Sequence, residues 1–347
     1  MNQISNRKYY LDNLRLVAIL FIFLAHIFNI YSMGDTWYIR GQKSLVLGII
    51  NDIFKIWRIP LLFTITGIVS RYSLKKRSAE QYAKNRINQL LAPFIFGMLL
   101  IVPIQPYLAG LFHNGHAGYF DSFTKVTNLT GYDGAFTPGN LWFLLYLFVI
   151  AMVCLPFMNW YNNKGKGTLG DKVPLIAVVL MGLLPCIVNH DIFKVIAIDD
   201  KNILEYFVYF LLGYFFLSND NLQEKLDKHR FLLLGMAVLY TWFMEFILNG
   251  AFRELARWLA VLSILGLGRH YLNFSGKITG YIAKSSFGVY LFHQSWIVVV
   301  AFFIFKITDN PVMQIPLILL LSVILTYSTY EICRRTPVIR WMFGLKK

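Results

Sequence analysis

Arg15 and His26 are the two residues whose types and spacing suggest chemistry most directly. They lie eleven residues apart in the apolar segment LDNLRLVAILFIFLAHIFNIY. At 3.6 residues per turn this spacing is close to three full turns, so both side chains share one helix face, about 16 Å apart along the axis. Ionisable groups inside an apolar helix usually mark a path for a polar substrate or an ion, although contacts between helices can also account for them.

The elements that hold this pair are predicted to be membrane-spanning helices. Hydrophobic residues make up 57% of the 347 residues and charged residues only 15%, and the mean hydropathy is +0.54. Soluble domains have about 45–50% apolar and about 25% charged residues. We therefore predict an all-α, polytopic bundle of about ten transmembrane helices. The predicted spans are 13–33, 45–70, 90–112, 138–160, 173–190, 203–218, 231–249, 254–270, 285–306 and 313–333.

The first span is interpreted as a retained helix and not as a signal peptide, because no small-residue cleavage site follows its apolar stretch. Lys and Arg are unequally divided between the two sides of the predicted bundle, 22 on one side and 7 on the other. Cytoplasmic loops carry the excess of Lys and Arg. The split predicts that both termini are cytoplasmic in a multi-pass cell (inner) membrane protein, and it explains most of the net charge of +15 without a nucleic-acid partner.

The densest basic segment is RYSLKKRSAEQYAKNRINQLL, residues 71–91. It can be a topology determinant that rests near anionic lipid headgroups. It can equally be a docking surface for an anionic cytoplasmic cosubstrate, because Arg and Lys bind phosphate. Arg71, at the membrane exit of the second span, is the best placed member of this group.

Several other polar residues lie at membrane depth. Asp52, Lys55 and Arg58 recur at helical spacing in the second span, and a structural ion pair is the alternative to a functional group there. Glu245 and Glu331 each need a partner within an apolar run, and His293 with Gln294 lies in the segment SFGVYLFHQSW. A lone histidine in such a segment is more often a packing or hydrogen-bonding residue than a catalyst.

Metal and disulfide chemistry find little support in the sequence. The three cysteines, Cys154, Cys186 and Cys333, lie in or beside apolar segments and show neither a disulfide framework nor zinc spacing. His113 and His116 form the sequence HNGH in a loop, where solvated histidines are the simpler interpretation. We predict no metal and no bound cofactor.

An ordered set of segments resembles the acyltransferase-3 family of integral-membrane acyltransferases, and in particular its glucan-biosynthesis and sugar O-acetylase types. RKYYLDNLR, followed by the spacing from Arg15 to His26, is similar to the family's opening segment. The other similar segments, in chain order, are RIPLLFTITGIVSRYSLKKR (58–77), RINQLLAPFIFG (86–97), NLWFLLYLF (140–148), GLGRHYLNFSGKI (266–278) and SFGVYLFHQSW (286–296). Nearly the whole chain is covered, so we expect a single membrane domain, residues 1–347, with no soluble extension.

The resemblance implies an acyl-CoA cosubstrate, usually acetyl-CoA, that arrives from the cytoplasm. It also implies that Arg15 and His26 correspond to the family's paired arginine and histidine. O-acylation needs a base for the acceptor hydroxyl, and imidazole, with an unperturbed pKa of about 6.5, suits that role at neutral pH. We expect His26 to be this base near mid-membrane, with a transient acyl-imidazole as the less favoured variant. Arg15 would orient the donor.

The remaining expected site residues fall into two sets. The expected donor-binding residues are Arg58, Arg71, Lys75, Lys76, Arg77 and Arg86, and the expected acceptor-binding residues are Asp12, Trp142, His293 and Gln294. The Gly-rich, polar loop 113–137 can contact the acceptor, a carbohydrate or lipid-linked sugar hydroxyl, from outside, and a loop that is only soluble is equally consistent with its composition.

Two other classes of protein fit a ten-span chain with buried ionisable residues. A transporter or flippase for an envelope glycan or a small anionic substrate would share these features, although no internal repeat of the kind common in such folds is visible. A receptor or scaffold would not need the helix face shared by Arg15 and His26. Acyl transfer from acetyl-CoA separates an enzyme from both.

Overall fold

The computed structural model describes residues 8–34, 36–164, 169–189, 197–198, 201–246 and 253–346. Nearly all regular structure in these residues is helical, which confirms the all-α prediction. The helices are α1 (Tyr9–Asn29), α2 (Leu45–Leu74), α3 (Ala79–Arg86), α4 (Ala92–Leu100), α5 (Ile104–Asn114), α6 (Asp121–Thr124), α7 (Trp142–Asn163), α8 (Leu175–Leu180), α9 (Leu183–Val188), α10 (Ile203–Leu212), α11 (Asp220–Lys228), α12 (Arg230–Phe246), α13 (Arg253–Tyr271), α14 (Lys277–Ile304), α15 (Pro311–Arg335) and α16 (Pro337–Met342).

Shorter elements connect these helices. Two strands, β1 (Ala197–Ile198) and β2 (Lys201–Asn202), pair antiparallel. A π-helical turn, Ile87–Leu91, joins α3 to α4, and a second one, Gly213–Leu217, extends α10. Single 3₁₀ turns lie at Gly139–Leu141 and Leu169–Lys172.

Five helical segments in the described residues are long and apolar enough to cross a membrane. They are Tyr9–Asn29, Ala79–Asn114, Gly139–Asn163, Lys277–Ile304 and Pro311–Arg335, and three shorter apolar segments are Leu175–Val188, Ile203–Leu217 and Arg230–Phe243. Each of the ten predicted spans overlaps one or more helices. The chain is thus a multi-pass membrane protein, while ten as the number of crossings stays a prediction.

Helices α1 and α2 form an antiparallel pair, in which Asn51 contacts Asn29 and Arg58 contacts Phe21. The segment between them, of which residues 30–34 and 36–44 are described, covers the end of α1. Gly41 N–H donates to the Ile30 carbonyl at 2.9 Å, and Ser44 N–H donates to the Tyr31 carbonyl at 2.8 Å. The side chain of Ser44 then caps α2. This covering segment carries Trp37, which is buried over the last turn of α1.

Helix α2 runs for 30 residues despite an internal proline and several hydroxyl side chains. Buried hydroxyl groups of this helix bond to its own backbone: the Thr64 hydroxyl donates to the Pro60 carbonyl at 2.8 Å, and the Ser70 hydroxyl to the Thr66 carbonyl at 2.7 Å. Internal bonding of this kind keeps hydroxyl groups compatible with an apolar environment.

The same helix approaches α10 and its π-helical extension at two glycines. A side chain at Gly67 would overlap the Phe210 carbonyl oxygen, and a side chain at Gly213 would overlap the Thr64 carbonyl oxygen. Small residues at such contacts let two membrane helices come together backbone to backbone. This contact fixes the position of α2 against α10.

Helix α14 lies deep in the bundle and packs against α1, α5 and α15. Most of its residues from Ser285 to Ile304 are buried. It therefore brings residues from late in the chain next to α1, which is the first helix of the chain.

The basic residues concentrate at the end of the bundle where α1 begins. Lys8 pairs with Asp220, donates to Gln223 Oε1 at 2.7 Å, and lies near Lys75 and Arg269. Arg7, Lys166, Lys194 and Lys347, which contribute to the predicted charge asymmetry, lie outside the described residues, as does the side chain of Glu245. The cytoplasmic location of this end stays a prediction.

Candidate active site

A cavity of about 420 Å³ lies between the last turn of α1, α2, the start of α7, α10 and α14. His26 is on its wall, in the last turn of α1. This differs from the expected position at the middle of the first span, because α1 begins at Tyr9 and ends at Asn29. Burial at this position comes from the covering segment after α1 and from the segment 129–140, both of which line the same cavity.

The His26 ring lies between two other rings. Trp37 stacks on it at a centroid distance of 6.1 Å, and the His293 ring lies at 5.2 Å with an angle of 39° between the planes. The Nδ1 atom of His26 is buried and has no hydrogen-bond partner among the described residues. The Nε2 atom is then the nitrogen left to face the cavity.

His293 is 1% exposed and is held by the backbone of its own helix. Its Nδ1 lies 3.1 Å from the Val289 carbonyl oxygen and 2.9 Å from that of Tyr290. Carbonyl oxygens only accept hydrogen bonds, so Nδ1 carries the proton and Nε2 carries a lone pair. That Nε2 atom also lacks a partner in the described part of the chain.

A chain of buried amide and hydroxyl groups fixes α14 against α5. Gln294 donates to Gln105 Oε1 at 2.8 Å, Gln105 donates to Ser295 Oγ at 2.8 Å, and Ser295 donates to the Ile101 carbonyl at 3.0 Å. Gln294 also borders the cavity. Satisfied buried networks of this kind hold their helices in one arrangement.

Trp142 lies at the start of α7, 9% exposed on the cavity wall. Next to it, the Asn140 side chain donates to the Tyr290 carbonyl at 2.8 Å, and the Tyr290 hydroxyl donates to the Asn140 carbonyl. This reciprocal pair ties the entry of α7 to α14. Trp142 and Gln294, two of the four expected acceptor-binding residues, are therefore brought to one cavity.

The two-strand hairpin completes one edge of the cavity. The Tyr146 hydroxyl accepts from Ile198 N–H at 2.8 Å and donates to the Lys201 carbonyl at 2.8 Å. Both Ile198 and Lys201 line the cavity, and the Lys201 ammonium lies 5.4 Å from the centre of the Trp142 ring. A single tyrosine of α7 thus positions a cationic side chain over the cavity.

Cationic side chains predominate among the charged groups of the wall. Lys55, Arg58, Lys201 and Arg257 line the cavity, and no Asp or Glu does so among the residues that the structure describes. Arg257 is paired with Glu205 at 2.7 Å, and Lys55 with Asp52 at 3.0 Å. Arg58 is different: it is 7% exposed, and its Nη1 donates a long hydrogen bond of 3.5 Å to the Phe21 carbonyl. Such a guanidinium is well placed to stabilise negative charge in the cavity.

Arg15 shares the helix face of His26, three turns away, but it is not part of this cavity. Its Nη1 lies 3.8 Å from Asp12 Oδ1, and both side chains are about a third exposed. Arg86 lies within electrostatic range of Arg15. Asp12 and Arg15 therefore belong to the basic end of the bundle, and His26 belongs to the cavity.

The expected donor-binding residues separate into three environments. Arg58 is on the cavity wall. Arg71 is 2% exposed, with Nη1 at 3.1 Å from Asn162 Oδ1 and its guanidinium 5.0 Å from the centre of the Tyr161 ring. Lys75, Lys76 and Arg77 are exposed at the end of α2, and Arg86 is half-buried, with Nη2 at 3.3 Å from Ser70 Oγ.

The loop 113–137 is held by contacts within itself and by a contact to the segment after α1. His113 Nε2 lies 2.8 Å from the Trp37 carbonyl, and His116 Nδ1 lies 3.0 Å from the Asn114 carbonyl. Lys125 lies 2.8 Å from Asp121, and this contact lowers the pKa of Asp121 below its usual value. Tyr132 in this loop lines the cavity, as do Leu129 and Thr130. Its far end, and not its histidines, is the part that borders the site.

Glu331 and the three cysteines, which the sequence also singled out, lie outside the cavity. Glu331 accepts from the Tyr281 hydroxyl at 2.7 Å and pairs with Arg334 at 2.8 Å. The three cysteines are free thiols. Within the described ranges, no group of three or more His, Cys, Asp or Glu side chains is arranged to hold a metal ion.

Comparison with known proteins covers nearly all of the chain. Residues 8–331 match the acyltransferase-3 family model, described as an acyltransferase domain. Glucans biosynthesis protein C from an Escherichia coli strain is 23% identical over 377 residues, covering 99% of this chain and 95% of the relative. The protein of the same name from Salmonella schwarzengrund is 22% identical over 378 residues, covering 98% and 95%. No solved structure matches the chain.

Proposed function

The chain belongs to the acyltransferase-3 family, and from this membership we propose that it is an O-acyltransferase of the inner membrane. It transfers an acyl group, acetyl first among them, from cytoplasmic acyl-CoA to a hydroxyl of an envelope carbohydrate or lipid-linked sugar. The relatives named for glucan biosynthesis support a carbohydrate acceptor. The structural observation that carries the proposal is His26 on the wall of a cavity rich in cationic side chains.

In the proposed reaction, the ring nitrogen of His26 that faces the cavity accepts the proton of the acceptor hydroxyl. The hydroxyl oxygen forms a bond to the thioester carbonyl carbon, and the bond from that carbon to sulfur then breaks. The thiolate of CoA leaves and takes the proton back from His26. Direct transfer of this kind needs one base, and positioned bases typically contribute about 10²–10⁴-fold to such rates.

Negative charge develops on the carbonyl oxygen during this attack. Arg58 supports the proposal because its buried guanidinium shares the cavity with His26 and its contact to the Phe21 carbonyl is long. Preorganised donors aimed at a developing oxyanion are often the largest single contribution to catalysis. We assign Arg58 to the acyl group, and no longer to the phosphates of the donor.

The phosphates of CoA are assigned to the basic end of the bundle. Arg15 and the half-buried Arg86 lie near each other there, and Lys75, Lys76 and Arg77 are exposed at the end of α2. Guanidinium groups bind phosphate oxygens in pairs, and lysines add charge. The donor would then extend from Arg15 along α1 toward His26.

The acceptor is assigned to the side of the cavity that lies away from the basic end of the bundle. Trp142, Tyr132 and Tyr206 present aromatic rings there, and Gln294 supplies a polar group. Aromatic rings beside a few well-placed polar groups are typical of sites that bind small molecules. Asp12 lies at the basic end and His293 is buried behind His26, so neither is assigned to direct acceptor binding.

The test is transfer of labelled acetyl from acetyl-CoA into the envelope fraction of membranes. Wild type should transfer label. The transfer rate of His26→Ala at matched protein levels should be at least about 100-fold lower, because the base is missing. His116→Ala is the matched control, since that histidine lies in the loop, contacts the nearby Asn114 carbonyl and does not line the cavity. Equal transfer by wild type and His26→Ala would remove His26 as the base. No transfer by either would remove the enzyme assignment and make uptake assays the next step.

A further inference from the structure

Two buried imidazole nitrogens on neighbouring rings lack hydrogen-bond partners among the described residues. They are Nδ1 of His26 and Nε2 of His293. Buried polar atoms are nearly always paired in folded proteins, so each unpaired one calls for an explanation. Here the two unpaired atoms belong to rings whose centroids are 5.2 Å apart.

Their chemistry is complementary. The backbone carbonyls of Val289 and Tyr290 fix the proton of His293 on Nδ1, so its Nε2 can only accept. His26 can place a proton on Nδ1, which makes that atom a donor. A buried potential donor and a buried acceptor therefore lie on two neighbouring rings.

The separation suits a direct hydrogen bond. Two imidazoles joined edge to edge by an N···N distance of about 2.9 Å have ring centroids about 5 Å apart. The observed 5.2 Å is within reach of that arrangement after a small rotation of the His26 ring. The other ring stacked on His26, Trp37, has a donor nitrogen and no acceptor, so it cannot do the same.

We propose that His293 is a positioning residue for His26. Its Nε2 accepts a hydrogen bond from His26 Nδ1–H, which fixes the tautomer in which the lone pair of His26 Nε2 faces the cavity. This inference rests on the proposed function, in which that lone pair takes the acceptor proton. His293 itself gains and loses no proton, because its own Nδ1 stays bonded to the backbone throughout.

The surroundings of His293 are suited to this role. The ring is 1% exposed and lies against Phe23 at 5.6 Å, so it cannot turn toward solvent. The amide chain from Gln294 to Gln105 holds the same stretch of α14 in place. A base is efficient only when its tautomer and orientation are set before substrate binds. In known catalytic triads, the residue that is hydrogen-bonded to the histidine sets both.

Two amide substitutions at this position separate positioning from simple packing. The amide of glutamine reaches the position of Nε2, whereas the amide of asparagine reaches only the position of Nδ1. His293→Gln therefore keeps an acceptor for His26, and His293→Asn keeps only the contacts to the backbone. Positioning predicts that His293→Gln is the more active of the two, and a purely structural role predicts the reverse order.

The experiment measures kcat and the KM for acetyl-CoA of wild type, His26→Ala and the two amide variants, each as folded protein isolated by gel filtration in detergent. We expect kcat of His293→Asn to fall about 10–100-fold, as for other residues that orient a functional side chain, with KM unchanged. His293→Gln should stay within a few-fold of wild type. Thermal denaturation of each variant reports stability separately.

The outcomes are distinct. Equal kcat in the two amide variants, or a lower kcat in His293→Gln, overturns the positioning role while leaving transfer and its dependence on His26 intact. A loss in His293→Asn that appears only in KM, or that follows its thermal stability, overturns it as well. Absence of transfer by the wild type overturns the proposed function, and the positioning role with it.

Discussion

Arg58 and Arg71 lie thirteen residues apart on α2, about 20 Å along its axis, and their surroundings give them different uses. Arg58 lines the cavity, and the hydrogen bond from its Nη1 to the Phe21 carbonyl is long, at 3.5 Å. Arg71 is engaged by Asn162 and by the rings of Tyr161 and Tyr214, which hold α2 against α7 and the end of α10. Arg58 can respond to a charged transition state, and Arg71 mainly holds helices together.

Arg58→Gln and Lys55→Gln remove the same charge from the same helix and the same cavity. We expect kcat for acetyl transfer to fall about 100-fold in Arg58→Gln, the typical cost of losing one oxyanion donor. Lys55→Gln should stay within about 2-fold, because the Lys55 charge is paired with Asp52 and both side chains are exposed to solvent, which screens it. Steady-state kinetics in membranes with matched protein levels measure both.

Similar losses in the two variants would show that total cavity charge matters, and that the position of Arg58 does not. A loss seen only as a raised KM for acetyl-CoA would return Arg58 to donor binding, the role expected from the sequence.

For single residues, the sequence predicts contacts within one helix and does not predict contacts between helices. Helical spacing correctly predicts that Arg15 and His26 share a face and that Asp52 can pair with Lys55. It cannot predict that His293 lies beside His26, because 267 residues separate them and no local pattern links them. Likewise, the burial of Arg71 within a basic run depends on α7 and α10, which follow much later in the chain.

At the scale of elements, the contact between α2 and α10 depends on two glycines. Gly67 faces the Phe210 carbonyl and Gly213 faces the Thr64 carbonyl, so backbone meets backbone with no room for a side chain. Because α2 carries Arg58 and α10 carries Tyr206, this contact also sets the width of the cavity.

Gly67→Ala and Gly213→Ala should each lower the free energy of unfolding by about 1–3 kcal/mol or more, since the added methyl group meets rigid backbone. Gly235→Ala in α12 is the matched control, because nothing lies within 4 Å of a side chain there. Alanine in that helix should be neutral or stabilising by up to about 1 kcal/mol. Thermal denaturation of the purified variants in detergent measures the difference, and equal midpoints in all three would contradict the close contact.

Helix positions follow well from the sequence, but helix continuity does not. Each of the ten predicted spans overlaps one or more helices in the described residues, because long apolar runs are a strong signal. The predicted span 90–112 is instead divided into α4 and α5 at residues 101–103. Pro103 and Pro106 explain the division, since proline cannot donate to the preceding turn. A hydropathy value averaged over a long window does not reveal such interruptions of a helix.

The bundle has two chemically different ends. Lys8, Lys75 and Arg269 lie at the end where α1 begins, and the His26 cavity with its covering segments lies toward the end where α1 finishes. The proposed reaction needs two different ends, because the nucleotide of the donor arrives on one side of the membrane and the glycan on the other.

The proposed orientation can be measured with single cysteines in a variant whose three native cysteines are replaced by alanine. Val126→Cys, exposed in the loop before α7, should react with a membrane-impermeant maleimide in right-side-out vesicles. Lys76→Cys, exposed at the end of α2, should react only after the vesicles are opened. The reverse pattern would place the basic end outside and contradict a cytoplasmic donor site.

Helix α1 runs without a break from Arg15 to His26, so peptide geometry alone fixes the distance between them at about 16 Å. Movements of other helices that widen or narrow the cavity leave this length unchanged. A thioester held at Arg15 must therefore carry its acyl group on an arm that is long enough to cover it. Thioesters with shorter arms must bind without Arg15, so this helix sets a minimum reach for the donor.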